Sequence, residues 1–260
     1  PVNTVSNNIT GSSYGIGNWY TKNILKAGVA NNGNVSDYKI VTEVLKGNVL
    51  QLDVLNNVDI LYRNMYRNDL KTFFAQRNIN NKVLKISFDY FFGKKRAGIN
   101  GLFNASTNYF VLRNNKENIY CVYFPPNNTI NGALPSSRNN TNLTGIGGVN
   151  GFVFRDSNNT AKAFEIADNT WVTIEIYLDY TTSKVYFSLP AYNYTFVKDT
   201  FFKLELDGIE HDDTPFQFDI VKHLGAAGGP DDLVTKVDTI NFSAQSTPPV
   251  VTLGINEVLN

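Results

Sequence analysis

Cysteine is nearly absent from this 260-residue chain: Cys121 stands alone, so no internal disulfide can staple the fold. It lies in the strand-like run Ile119-Tyr120-Cys121-Val122-Tyr123, where a buried free thiol is the ordinary reading. Net charge is also missing, with 23 Lys plus Arg against 23 Asp plus Glu. That balance gives no steering toward nucleic acid or an anionic membrane. No run approaches the ~20 apolar residues of a membrane span. No charged-then-apolar leader opens the chain, and Pro1-Val2-Asn3 reads as a mature or trimmed start. Sustained helical periodicity and internal repeats are lacking too.

Aromatic residues are plentiful, with 18 Phe and 14 Tyr. Asn is abundant and clusters with Gly, Ser and Thr between the apolar runs, where it supplies turns. The clearest pattern is a hairpin. Val172, Ile174, Ile176 and Leu178 share one strand face, and Thr173, Glu175, Tyr177 and Asp179 share the other. Thr181-Thr182-Ser183 then turns the chain into Val185, Phe187 and Leu189. Alternation with period two across a short polar turn predicts two half-buried antiparallel strands.

A second alternating strand runs over 82–92, with Leu84, Ile86, Phe88, Tyr90 and Phe92 on one side. Further strands are expected in 37–54 around Gly47-Asn48, at 107–113 and 117–124, and near 194–197, 201–206, 215–222 and 234–243. The stretch Asn64 to Phe74 fits a short helix or a turn equally. Pro125 to Asn150 reads as a long loop, a length that is usually functional or mobile. A dozen or more strands in a chain of this size predicts an all-β, two-sheet antiparallel jelly-roll sandwich. The expected division is a polar N-terminal extension packed on the sandwich (1–36), the sandwich (37–243) and a C-terminal linker (244–260).

The run Asn169-Thr170-Trp171-Val172-Thr173-Ile174-Glu175-Ile176, with Thr182-Ser183-Lys184-Val185-Tyr186-Phe187, resembles laminin-G and concanavalin A-like lectin/glucanase domains. Lys236-Val237-Asp238-Thr239-Ile240-Asn241-Phe242-Ser243 is similar to the closing strand of such secreted jelly rolls. The resemblance covers about residues 80–243 and implies a fold rather than a function, because lectins, hydrolases, lyases and adhesion modules share it. At the other end, Thr247-Pro248-Pro249 through Leu253-Gly254-Ile255-Asn256-Glu257 resembles the linker before the type 9 secretion sorting domain of Bacteroidota. The Tyr-Pro-Asn-Pro motif of that domain is not in the chain. A plain Pro-initiated tail is the alternative, and either way residues 246–260 are expected to pack little on the sandwich.

Catalytic signals are sparse. A glycoside hydrolase needs two carboxylates across a groove, and the Glu-x-Asp-x-x-Glu strand of laminarinase-like members is absent. Glu175, Asp179 and Asp89 could supply a pair, although a solvated sheet face explains them as well. A lyase needs a group that neutralises the substrate carboxylate and a proton-transferring Tyr or His. Arg113, Arg155, Tyr177 and Tyr186 are candidates on one face, but the Gln-x-His stretch of sandwich lyases is missing. Both histidines, His211 and His223, fall in or near late loops. Asp231, Asp232 and Asp238 could hold calcium through hard oxygen ligands, as could Glu210-His211-Asp212-Asp213, though without calcium-loop spacing.

Sugar binding needs aromatic faces and polar partners. Trp19, Tyr20, Tyr109, Tyr120, Tyr123, Tyr177, Tyr186, Tyr192 and Tyr194 supply the first, and Arg113, Arg155 and Glu175 the second. The resulting expectation is a secreted or cell-surface module that binds carbohydrate or another surface. Its partners would be a polysaccharide or cell-surface glycan and, through the tail, the type 9 secretion machinery. The alternatives are a polysaccharide-degrading hydrolase or lyase on the same sandwich, or a non-catalytic structural or interaction partner of that machinery.

Overall fold

A computed structural model describes residues 3–4, 19–25, 30–31, 38–52, 60–93, 108–113, 118–124, 131–135, 149–152, 166–199, 217–223 and 235–253. In chain order the strands are β1 (Asn3–Thr4), β2 (Tyr20–Leu25), β3 (Ala30–Asn31), β4 (Tyr38–Glu43), β5 (Gly47–Leu52) and β6 (Ile60–Arg67). Helix α1 (Leu70–Ala75) follows, then β7 (Val83–Phe92), β8 (Asn108–Arg113), β9 (Asn118–Phe124), β10 (Asn131–Pro135) and β11 (Val149–Phe152). The rest are β12 (Thr170–Asp179), β13 (Lys184–Leu189), β14 (Tyr194–Asp199), β15 (Gln217–His223), β16 (Thr235–Gln245) and β17 (Thr252–Leu253).

They form a nine-stranded sheet, β1-β4-β5-β16-β7-β12-β13-β14-β17, and an eight-stranded sheet, β11-β10-β9-β8-β15-β6-β2-β3. This is the expected all-β, two-sheet antiparallel jelly-roll sandwich. Among the described residues no helix is long and apolar enough to cross a membrane.

The alternating run sets the centre. β12 pairs with β7 from Thr170↔Phe92 to Asp179↔Val83, and with β13 from Glu175↔Ser188 to Asp179↔Lys184. Its apolar face, Val172, Ile174, Ile176 and Leu178, is buried in the core together with Leu84, Ile86, Phe88 and Phe187. Phe110, Leu112, Phe218 and Ile220 answer from the second sheet. The two sheets meet through rings: Phe88 of β7 stacks on Phe110 of β8 at 4.1 Å between centroids. Phe218 of β15 lies 6.0 Å from Phe88 and 5.7 Å from Phe110.

The ambiguous stretch holds the end of a strand, which neither alternative named, and then the short helix. β6 continues to Arg67, and the six-residue α1 then buries Leu70 and Phe74, four apart on one helix face. Asp69 starts α1 without a side-chain cap; its carboxylate instead takes both Nε and Nη2 of Arg67, at 3.0 and 2.6 Å.

Three stretches differ from their sequence reading. Asn131–Pro135, inside the span read as a long loop, pairs with both β9 and β11. Gly132, Ala133 and Pro135 give no alternating pattern, yet a strand near a sheet edge needs little more than backbone partners. Tyr20–Leu25 pairs with β6 as a member of the second sheet. Finally, β16 runs on to Gln245, and after Pro248-Pro249 the residues Thr252 and Leu253 pair with Thr195 and Tyr194 of β14. The tail therefore returns to the sheet edge, where proline is tolerated just outside the paired positions. The strand expected at 201–206 lies outside the described residues.

If the ring cluster carries the sheet-to-sheet contact, Phe88→Ala should cost about 3–5 kcal/mol through lost transfer energy plus a cavity. Ile79→Ser, at a position 65% exposed, should stay within about 0.5 kcal/mol. Urea denaturation of the two variants measures both, and similar losses would contradict this core.

Candidate functional site

The outward-facing residues of the central strands form one ordered polar and aromatic face on the nine-stranded sheet. Pairing sets its rows. Trp171 lies opposite Phe91, which lies opposite Lys236; Thr173 lies opposite Asp89, which lies opposite Asp238. Tyr177 lies between Lys85 and Tyr186. Residues directly opposite on one sheet face have their Cβ atoms about 4.5–5.5 Å apart, so these rows interact.

At the Trp171 end, the Trp171 and Phe91 rings are both partly exposed and lie 5.3 Å apart. Lys46, from the turn between β4 and β5, sits over Trp171 at 5.3 Å from the ring centroid, and Lys236 sits over Phe91 at 5.0 Å. Each ammonium also has a carboxylate. Lys46 Nζ reaches Asp89 Oδ2 at 2.5 Å, and Lys236 donates a short hydrogen bond to Glu43. Thr173 Oγ1 donates to the other Asp89 oxygen at 2.6 Å.

Burial pulls the Asp89 carboxyl upward, but the hydrogen bonds from Lys46 and Thr173, the Lys46 charge and the Thr239 hydroxyl outweigh it. Asp89 is held below the usual carboxylate range. Thr239 stands at φ +50, beside the register shift between Asp238 and Asn241. A β-branched residue in the left-handed region is strained, and the bulge carries its hydroxyl to Asp238 Oδ2 at 3.1 Å.

Farther along β12, Lys85 Nζ pairs with Glu175 Oε1 at 2.7 Å, and Tyr177 Oη donates to Glu175 Oε2 at 2.6 Å. Lys85 also lies 5.3 Å from the Tyr177 ring centroid. Burial, then the hydrogen bond to Glu175 and the charge of Glu175, push the Tyr177 phenol above its ordinary value.

The predicted site residues separate. Glu175, Tyr177 and Tyr186 share this face. Both tyrosines are buried, however, packed with Val83 and Val197, so they cannot offer ring faces to a sugar. Arg113 is on the other sheet, so the single face expected for Arg113 with Tyr177 and Tyr186 is not formed. There its Nε holds Asp219 Oδ2 at 2.8 Å, and Asp219 Oδ1 accepts from Asn64 and Gln217, each at 2.7 Å.

That carboxylate is fully buried. It adds to the burial that raises the Tyr66 phenol above its ordinary value. Tyr120 is in β9 of the same sheet, opposite Leu112. Arg155 lies outside the described residues.

Asp179, the partner considered for Glu175, is occupied by the hairpin turn. Its Oδ1 accepts the Thr181 and Thr182 amides at 2.9 and 3.4 Å, and its Oδ2 accepts the Thr182 hydroxyl at 2.6 Å. For calcium, Asp231, Asp232 and the Glu210–Asp213 run lie outside the described residues, while Asp238 lies on the outer face opposite Asp89. Among the described residues no three His, Cys, Asp or Glu side chains converge as a metal site. Of the export segment, Leu253 belongs to β17, and Gly254, Ile255, Asn256 and Glu257 lie outside the described residues.

Sequence reasoning missed Lys46, Lys85, Phe91 and Lys236, and it did not count Trp171 among the aromatic residues for sugar binding. The alternation of β7 and β12 contained Phe91 and Lys85. Lys46 and Lys236 reach the face only through strand order.

No family model matches the chain, and no curated protein matches it. Among solved structures, a sialidase aligns at 11% identity and TM-score 0.46, over 95% of this chain and 19% of that one. A botulinum neurotoxin type C structure, whose cell entry is described as dependent on two ganglioside molecules, aligns at 10% identity and TM-score 0.46. That alignment covers 82% of this chain and 42% of the other. A family 7 alginate lyase in complex with substrate aligns at 7% identity and TM-score 0.46, over 89% and 94%. The chain thus spans less than half of the sialidase and neurotoxin chains. At these TM-scores the likenesses carry no argument about its chemistry.

Two outcomes test this geometry. Asp89 titrates below its unfolded value of about 3.9, so its stabilisation is present above that pH and fades as pH falls through the folded value. Lys46→Met should therefore destabilise most at neutral pH, and the gap from the parent protein should close as pH falls through the folded value, measured as urea midpoints. On the second sheet, Arg113→Met should cost about 1.5–3 kcal/mol, because it removes a charged hydrogen bond from a buried carboxylate. A neutral outcome in thermal denaturation would show that Asp219 is held by Asn64 and Gln217 alone.

Proposed function

We propose that the outer face of the nine-stranded sheet binds carbohydrate, with Trp171 and Phe91 as the stacking platform. Lys46, Lys236 and Glu43 are the hydrogen-bonding rim, and the buried Asp89 holds Lys46 in place. The observation that carries this reading is the Trp171–Phe91 pair: two partly exposed rings in contact, each flanked by an ammonium group that has its own carboxylate. Sugars present apolar ring faces and hydroxyl edges together. A site for them therefore combines aromatic surface with a few fixed polar groups.

Neither Asp89 nor Tyr177 is shifted in the direction that bond cleavage would use. A glycosidase acid needs a carboxyl whose pKa is raised, and Asp89 is shifted downward. A lyase base needs a group that gives up its proton, and Tyr177 is shifted upward. The proposed setting is the cell surface or the outside of the cell, with export by type 9 secretion. That part rests on the resemblance of the tail from Thr247 to Glu257.

A glycan array read with the parent protein and Trp171→Ala tests the proposal. Truncating a central aromatic anchor costs about 2 kcal/mol or more, so retention should fall at least about tenfold, with the circular dichroism spectrum unchanged. Equal retention by both proteins would exclude this face. Reducing-end release by the parent but not by Glu175→Gln would replace binding with catalysis.

A further inference from the structure

The C-terminal strand is held to its sheet by very little. β17 is two residues long, and it pairs with Tyr194 and Thr195, two of the six residues of β14. On its other side β14 pairs with β13 along its whole length, from Lys184↔Asp199 to Leu189↔Tyr194. Two residue pairs at a sheet edge bury little surface and open readily.

The connection that brings β17 there is short for its task. β16 ends at Gln245 and β17 begins at Thr252. In the order β16-β7-β12-β13-β14-β17 they stand five strand spacings apart, about 24 Å along the sheet at ~4.8 Å each. The seven residue steps between them reach at most about 25 Å. Sheet twist brings the two ends closer. The chain loses reach too, because it bends at its start, where Gln245 Nε2 donates to the Thr247 carbonyl at 2.6 Å. Pro248-Pro249 then stiffens it. Val250 and Val251 are β-branched and stand directly ahead of Thr252, yet they stay out of the ladder, 81% and 41% exposed. Pairing from Val250 would leave five steps, about 18 Å, for the same crossing.

We propose that β17 exchanges between two copies of this chain, each tail pairing with the β14 edge of the other. The occupant is defined because the same tail already fills that edge within one chain, and an exchanged segment makes the same contacts in a partner. A short connection with little slack favours the exchange, because the tail no longer has to cross its own sheet. The result is a closed two-fold dimer, held by two short strands and therefore reversible. It carries two copies of the outer face of the nine-stranded sheet, and linked sites raise avidity for a repeating ligand. The exchange itself does not depend on the carbohydrate reading.

Two full-length variants test it, both with Cys121→Ala, one carrying Thr195→Cys and the other Thr252→Cys. Mixed and left to oxidise, they should give a disulfide-linked dimer with one chain of each kind, because the two positions lie directly opposite in the ladder. Neither variant alone can form that bond. Light scattering of the parent should show a dimer that grows with concentration. Inserting Gly-Ser-Gly-Ser between Thr247 and Pro248 supplies slack for pairing within one chain. The insertion should return the dimer to monomer with the circular dichroism spectrum unchanged.

A parent that stays monomeric at every concentration, or a mixture that yields no mixed disulfide, would overturn the proposal. So would a dimer that survives the insertion, which would assign it to another surface of the chain.

Discussion

The contact on which the structure depends is the ring cluster between the sheets. Phe88 comes from the centre of the nine-stranded sheet, and Phe110 and Phe218 from neighbouring strands of the other. A sandwich with a single cysteine has no covalent staple, so apolar burial must hold one sheet to the other. Rings are efficient for this, because each buries a large area and adds a directional contact of about 0.5–1.5 kcal/mol. Fixing Phe88 fixes the facing of β7, and β7 in turn sets the register of β12 and β16 on its two sides. The rows of outward residues on β7, β12 and β16 take their places from that register.

The outer face has a different character on each sheet. On the nine-stranded sheet, charges are spread along the strands as partly exposed pairs: Lys46–Asp89, Lys85–Glu175 and Lys236–Glu43. On the eight-stranded sheet, the carboxylate of Asp219 is fully buried and held by Arg113, Asn64 and Gln217. Partly exposed pairs contribute little stability and can exchange partners, which suits a surface that receives a ligand. A buried carboxylate with three donors is rigid and costly to disturb, which suits a structural post. The reading of Arg113 as part of this post, and of the Trp171 face as the binding surface, follows from that difference.

Much of the architecture was legible in the sequence because a strand with one buried face must alternate. Val172 to Leu178 and Leu84 to Phe92 declared their inner faces directly, and the Thr181-Thr182-Ser183 turn marked the hairpin. Legibility failed where a strand carries no alternation, as at Gly132-Ala133, or where proline suggested a free tail, as before Thr252. It failed differently at the site. Tyr177 and Tyr186 look like exposed aromatics from the polar face of a strand, yet their rings pack against each other and against Val83 and Val197. Thr173, on the same polar face, is tied to Asp89 rather than left to solvent.

By itself the sequence determined the all-β class, the central hairpin and the inward faces of its main strands, because side-chain period and turn chemistry are local properties. Only the tertiary structure decided which outward residues are neighbours. Lys46, Asp89, Trp171 and Lys236 come from four separate segments, and strand order brings them onto one face. It also parted Arg113 from Glu175 and Tyr177, since they belong to different sheets. Side-chain spacing along one strand carries no information about which sheet a distant strand will join. That is settled by the burial of the rings between the two sheets.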